Sequence, residues 1–304
     1  EVEGGVVAGD IKEVGFYSRA YSGEERTRTF LKVQDGCDYF CTFCTIPLAR
    51  GRSRSATIEQ TLQVAREAAS TGVQEIVLTG VNTGDFGKTE DGKERRGETF
   101  FDLIQELDKL DVPRWRISSI EPNLLTDEII EFVSKSEKFM PHFHIPLQSG
   151  SDRMLELMKR KYKTDLYTQR VEKIKELMPH ACIGVDVIVG FRDEQEEDFQ
   201  QTYEYLRDLD ISYLHVFTYS ERANTRGVKI PNPVPMNVRR DRSKQLRILS
   251  EKKRKAFYDK FEGDQRSALF EAQEDEGYMY GFTDNYIKVR LPYDAKQVNQ
   301  ISDV

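Results

Sequence analysis

Between Arg28 and Ser220 the chain alternates short, β-branched apolar runs with longer amphipathic ones. The runs RTFLKVQ (28–34), VQEIVLTG (73–80), RWRISSI (114–120), HFHIPLQ (142–148), CIGVDVIVG (182–190) and YLHVFTY (213–219) have the composition of strands. Between them lie segments with a 3.6-residue period: TIEQTLQVAREAASTG, FFDLIQELDKL, TDEIIEFVS, SDRMLELMK, DLYTQRVEKIKELM and EEDFQQTYEYLRDL. In the first of these Ile58, Leu62, Ala65 and Ala69 share one face. Thr57 stands as N-cap with Gln60 three residues on, and Gly72 supplies a stop. Strands alternating with helices predict parallel βαβ units with right-handed crossovers. Six repeats fit an α/β fold of the partial TIM-type (βα)6 kind, the alternative being a doubly wound open sheet. Each strand runs into a polar or glycine-rich cluster: Cys37 to Cys44, Thr79 to Asn82, Ser118 to Glu121, Gln148 to Gly150, Gly190, and Thr218 to Ser220. Six such ends in register suggest one shared site, as at the C-terminal face of a barrel. That distribution favours the barrel.

The flanks lack this alternation. Residues 1–26 carry Gly4, Gly5, Gly9, Gly15 and Gly23 and read as a linker with one short strand, VGFYS. A core domain is expected over 27–260, ending in a long basic helix from Asn237 to Phe261. Residues 261–304 change to short β-like runs, ALFEAQ, YMYGFT and YIKVRLP, expected as a small β-barrel module.

Charged residues make up 32% of the 304, and the mean hydropathy is −0.61. No apolar run approaches a membrane span, and the first residues lack the basic and apolar regions of a signal peptide. A cytoplasmic location is expected. The net charge is −7 but uneven: Val238 to Lys260 holds ten Lys/Arg against three Asp/Glu, whereas Glu262 to Val304 holds four against nine. The basic helix could meet phosphates through Arg239, Arg240, Arg247, Lys252 and Arg254. A solvated helix face is the commoner meaning of such a run.

Three of the four cysteines stand together, as Cys37-x3-Cys41-x2-Cys44, with the aromatic Phe43 before the last. Clustered thiols fit a reducing compartment better than a disulfide scaffold. A closed zinc site normally takes four ligands, in two separated pairs. A [4Fe-4S] cluster has four irons, so three thiolates leave one open to a further ligand. The alternatives are free thiols, or zinc with a distant fourth ligand. Cys182 reads as a buried small apolar residue. His142 and His144 alternate on one strand and read as packing or substrate-lining groups. Arg50, Arg52 and Arg54 can clamp a carboxylate or phosphate beside the cysteines.

The stretch VQDGCDYFCTFCTIPLARGRSRS is similar to the radical S-adenosylmethionine (SAM) enzymes, and in detail to their methylthiotransferases. LTGVNTGDFG, ISSIEP, HIPLQSGSD, DVIVGF and LHVFTYSER extend the resemblance over about Arg28 to Arg222. It is greatest to the branch acting on N6-threonylcarbamoyladenosine in tRNA, and less to the ribosomal-protein and isopentenyladenosine branches. The resemblance implies a radical SAM barrel, a cluster on Cys37, Cys41 and Cys44, and SAM on its open iron. It further implies SAM contacts from Phe43, Gly80, Asn82, Ser118, Ser119, Glu121, Gln148, Ser149, Gly190 and Tyr219. Ser149 or Ser151 could instead cap the following helix. It implies substrate contacts from Arg50, Arg52 and Arg54, the anticodon stem-loop of tRNA as partner, and an electron donor such as flavodoxin or ferredoxin. After DVIVGF the family continues Pro-Gly-Glu, whereas this chain has Arg192-Asp193-Glu194, which puts the turn in doubt.

GYMYGFTDNYIKVRLPYD resembles the TRAM module, an RNA-binding β-barrel that would normally have one or two more strands. The family also carries an auxiliary [4Fe-4S] cluster on three further cysteines of a preceding domain, expected only in a full-length protein. With Cys182 alone left over, these residues are expected to cleave SAM without adding a methylthio group. Besides a tRNA methylthiotransferase, two readings stand: a radical SAM enzyme with another substrate, and an RNA-binding module holding structural zinc.

Overall fold

The computed structural model describes Ile11, residues 14–22 and residues 27–304. The expected linker falls largely outside the described residues. Val14 to Ser18 form no strand; instead Tyr21 bridges Leu31, laying this segment antiparallel beside the first core strand.

All six expected core strands form, as β1 (Arg28–Lys32), β2 (Glu75–Thr79), β3 (Arg114–Ile117), β4 (His142–His144), β5 (Cys182–Val189) and β6 (Tyr213–Thr218). They lie in sequence order, every neighbour parallel. β1-β2-β3 and β4-β5-β6 are hydrogen-bonded triplets, joined by the bridges Trp115–Phe139 and Ser119–His144. No ladder joins β6 to β1 among the described residues, so the sheet is open.

The helices are α1 (Ile46–Arg50), α2 (Ile58–Ala69), α3 (Phe100–Asp108), α4 (Asp127–Lys135), α5 (Asp152–Leu157), α6 (Thr164–Leu177), α7 (Glu196–Asp208) and α8 (Met236–Asp259). α2 opens on the capping box read from the sequence, with Thr57 accepting from the Gln60 amide and Gln60 returning the bond. The short α1, directly after the cysteines, was not foreseen; Pro47 fits its first turn.

Alternation along the strands separates two faces. One face gives Leu31, Ile76, Leu78, Trp115, Ile117, Phe143, Ile183, Val185 and Leu214 to a single apolar core under the helices. The other gives Glu75, Arg116, His142, His144, Asp186 and His215. A doubly wound sheet needs both faces apolar. The polar residues of the second face fit a barrel-like wall better than a doubly wound sheet, although Val77 and Ile188 share that face.

The C-terminal residues form a four-stranded antiparallel sheet in the order β10-β7-β8-β9, from β7 (Ser267–Asp275), β8 (Tyr278–Thr283), β9 (Lys288–Pro292) and β10 (Ile301–Asp303). No pairing closes it into a barrel among the described residues, and β10 was not foreseen. The sheet packs on the starts of the core strands: Arg114 donates to the Ser267 carbonyl at 2.8 Å, and Arg28 pairs with Glu271 at 2.9 Å. It leaves the strand ends clear.

Candidate metal centre and cofactor cleft

β1 leads through Gln34-Asp35-Gly36 directly into the cysteines. Gly36 has φ +69°, and a Cβ there would lie 1.9 Å from the Arg52 carbonyl oxygen, so the turn requires glycine. Each thiol sulfur receives an N–H. Tyr39 N donates to Cys37 Sγ at 3.4 Å, Arg160 Nη1 to Cys41 Sγ at 3.1 Å, and Ile46 N to Cys44 Sγ at 3.4 Å. Burial pushes the Cys37 thiol up to about 12, so without a metal it is held neutral. Three free thiols are one short of a closed four-ligand zinc site and match a [4Fe-4S] cluster with one iron left open. Cys182 is elsewhere, buried with Phe257 and Ile287.

Arg160 was missed by sequence reasoning. Its guanidinium is 3% exposed, pairs with Glu121, and donates from Nε to the Tyr162 hydroxyl at 2.9 Å as well as to Cys41. In sequence it sits in Lys159-Arg160-Lys161, which looks like a solvated run. Lys159 takes φ +58° after α5, and that reversal turns Arg160 inward. Burial pushes the Glu121 carboxyl up, and Arg160 only partly offsets it.

The other expected cofactor residues divide. Asn82 is 3% exposed and its amide N–H is held by Gln34 Oε1 at 2.9 Å. Its carboxamide lies near the Tyr39 hydroxyl without closing a hydrogen bond, leaving both polar atoms buried and unpartnered. Gly80 packs against the same glutamine. Ser118 is half-buried, its amide bonded to the Leu78 carbonyl at 3.1 Å. Phe43 meets Phe191 edge-on at 6.4 Å and joins Met154, Met158, Ile188 and Tyr219. The Tyr219 hydroxyl in that group is buried without a partner. Gln148 is buried with φ +74°.

Ser149 goes another way. It is fully buried, with its hydroxyl 3.1 Å from Thr202 Oγ1 on α7 and accepting from the Ser151 amide; Ser151 is the residue that caps α5. The arginines after the cysteines are also redirected. Arg54, 8% exposed, is folded onto Asp35 and the carbonyls of Arg50 and Arg52, and Arg50 also reaches Asp35, at 3.1 Å. Arg52 alone is unpaired, beside an apolar groove of about 700 Å³ that includes Phe40 and Leu48.

The unfamiliar turn holds. Asp193 takes φ +65°, the conformation glycine adopts most easily, and its side chain accepts from Asn232 at 2.9 Å. Glu194 is buried and accepts from the Gly190 amide at 2.7 Å and Arg242 Nη1 at 2.6 Å. Gly190 has φ +73°, and a Cβ there would meet Arg239 Cγ at 2.2 Å. That contact corrects the expected basic face. Arg239 is 3% exposed, its guanidinium bound to Glu221 at 2.6 Å and to the Tyr219 carbonyl at 2.9 Å. Arg240, Lys244, Arg247 and Lys252 are exposed without ion-pair partners, whereas Arg254 pairs with Glu251.

An open, parallel α/β sheet with three clustered thiols at its strand ends is the class these features define. A profile of the Radical SAM superfamily matches residues 31–206, and the chain belongs to that superfamily. It is 41% identical over 271 residues to the threonylcarbamoyladenosine tRNA methylthiotransferase MtaB of Bacillus subtilis, covering 87% of this chain and 59% of that protein. To the protein of the same name from Aquifex aeolicus it is 40% identical, covering 88% and 62%. To the tRNA-2-methylthio-N(6)-dimethylallyladenosine synthase of Staphylococcus epidermidis RP62A it is 32% identical, covering 91% and 54%. The chain thus spans about three fifths of the length of the MtaB relatives it matches. Among solved structures, the radical SAM methyltransferase TsrM of Kitasatospora setae aligns with a TM-score of 0.50 at 14% identity, over 62% of this chain and 36% of that one. At that identity the likeness shows the fold alone. Among the described residues no helix is long and apolar enough to cross a membrane.

Proposed function

We propose that this chain is the radical SAM core of a tRNA methylthiotransferase. The observation that carries the reading is the loop of three thiols, each sulfur holding an N–H donor, at the mouth of a polar barrel wall. Cys37, Cys41 and Cys44 would hold a [4Fe-4S] cluster. A cluster held there would supply the electron for reductive cleavage of SAM.

The chain's own residues bind and orient. Arg160 is the buried cation for the methionyl carboxylate, and Glu121 the acceptor for its amino group. The unpartnered Asn82 carboxamide and Tyr219 hydroxyl offer hydrogen bonds that the protein leaves open. Phe43, Phe191 and Met158 form an apolar wall that excludes water.

The finer reading is that the substrate is N6-threonylcarbamoyladenosine beside the anticodon. Its support is the extent of the match to two MtaB proteins, 41% and 40% identity over 271 and 267 residues, whereas a dimethylallyladenosine synthase reaches 39% over a shorter 225 residues. Arg240, Lys244, Arg247 and Lys252 on α8 are the cations free to meet tRNA phosphates. The C-terminal sheet is read as TRAM-like.

The test is anaerobic reconstitution. Roughly four irons per chain are expected, as for one [4Fe-4S] cluster. Cys41→Ala should lose most of that iron, while Cys182→Ala keeps it. Under reduction, chromatography should show 5′-deoxyadenosine. Mass spectrometry of digested tRNA then reports whether modification needs the rest of a longer protein, and on which adenosine. Full iron loading in Cys41→Ala would overturn the assignment.

A further inference from the structure

Away from the cysteines, the inner wall brings together a second set of metal-ligating groups. His144 is the third residue of β4, Asp186 the fifth of β5, and His215 the third of β6. Asp186 and His215 are paired in register, and His144 lies on the strand beside them. Alternation points all three to the polar face, since Phe143, Val185 and Leu214 take the apolar one. Their ligand atoms lie within 4.8 Å of one another. His144 Nε2 and Asp186 Oδ1 are hydrogen-bonded at 2.8 Å, a contact that an ion between them would replace after a small outward shift of the two groups.

The groups around the trio suit a ligand set. Ser119 Oγ is 2.6 Å from His144 Nδ1, so in the Nδ1–H tautomer it accepts from that nitrogen and the Nε2 lone pair faces Asp186, where an ion would bind. The His215 ring makes no hydrogen bond and is exposed, packed edge-on against His144 at 5.5 Å and Tyr213 at 5.1 Å. Two neutral imidazoles and one carboxylate give a net charge of −1, which favours a divalent cation. Imidazole with carboxylate suits zinc and iron-type ions rather than magnesium or calcium. Three protein ligands leave positions for water or substrate, and His215 lines a cavity with Tyr213, Arg254 and Tyr286.

We propose that His144, Asp186 and His215 form a binding site for a borderline first-row divalent cation, with Zn²⁺ as its simplest occupant and Ser119 orienting His144. The site uses none of the cysteines.

Co²⁺ titration of the 304-residue chain carrying Cys37→Ala, Cys41→Ala and Cys44→Ala tests this. One Co²⁺ per chain should bind with visible d–d bands and no near-ultraviolet thiolate charge-transfer band, and Zn²⁺ should displace it. His215→Ala and Asp186→Asn should each weaken binding by about tenfold or more, and Ser119→Ala by about ten- to a hundredfold. His215 is exposed, so its removal leaves the fold intact, which circular dichroism verifies. Cobalt affinity within twofold of the parent in His215→Ala, or no binding without the three cysteines, would overturn the site. Iron loading of the unaltered cysteines, measured separately, reports on the cluster whichever way this result falls.

Discussion

The barrel wall holds two buried Glu–Arg pairs at opposite ends, and they are built differently. At the strand starts, Arg116 grips Glu75 with two parallel hydrogen bonds of 2.9 Å, the side chains 3% and 1% exposed. Arg116 also donates to the Asp284 carbonyl at 3.3 Å and lies over the Tyr286 ring, so the C-terminal sheet seals the pair. At the strand ends, Arg160 divides its donors among Glu121, Cys41 and Tyr162. A bidentate pair that satisfies itself has no capacity left for a ligand. A guanidinium shared with a cysteine sulfur and a carboxylate that burial already disfavours are poised to accept one. One end of the wall is a structural clamp and the other a candidate site.

The largest effect expected is at the clamp. Arg116→Ala leaves the Glu75 charge buried with no partner, and should cost about 3–5 kcal/mol in urea unfolding. Replacing both residues by leucine should restore much of that loss. If the double variant is as unstable as the single one, the pair is not a self-contained unit and the contrast fails.

Arg160→Ala should cost less, about 1–3 kcal/mol, because Glu121 is 12% exposed and can take a proton once left alone. Its main consequence should be functional, as reduced iron retention and weaker SAM binding. A variant as unstable as Arg116→Ala that keeps its iron would make the two ends equivalent.

This contrast was not legible in the sequence, although much around it was. Strand composition, the 3.6-residue helix period and the Thr57–Gln60 cap are local signals, and all reappear in the fold. The cysteine spacing is local too. What failed was the meaning of charge. Arg160, Arg239 and Arg242 sit in basic runs that read as solvated or nucleic-acid faces. Each is buried because an acidic partner arrives from a distant loop: Glu121, Glu221 and Glu194. Arg54 is likewise claimed by Asp35. Sequence period reports which face a residue is on, not whether an opposite charge waits there. The polar inner wall was read only in part, with His142 and His144 placed on one face as packing or substrate-lining groups. A three-residue β4 is too short for its alternation of His142 and His144 to be told from packing.

The smallest and most diagnostic effect is on pH dependence in the metal-free chain. At the clamp, burial opposes ionisation of Glu75, but the Arg116 charge and its hydrogen bonds win and hold the carboxyl below its ordinary value of 4.5. The folded state then releases the proton more readily than the unfolded one. Stability from Glu75 is present above 4.5 and is lost as pH falls through the folded value. At the site, burial prevails and Glu121 is raised above 4.5. The folded state there keeps the proton more tightly, so stability is present below 4.5 and is lost as pH rises through the folded value. The two carboxyls tilt the curve in opposite senses, each by at most about 1.4 kcal/mol per pH unit. Urea midpoints from pH 3 to 7 read the difference. Relative to the parent, Glu75→Gln should lose stability as pH climbs toward 4.5, and Glu121→Gln should gain it as pH climbs beyond. Differences of the same sign in both variants would show that Arg160 clamps Glu121 as firmly as Arg116 clamps Glu75.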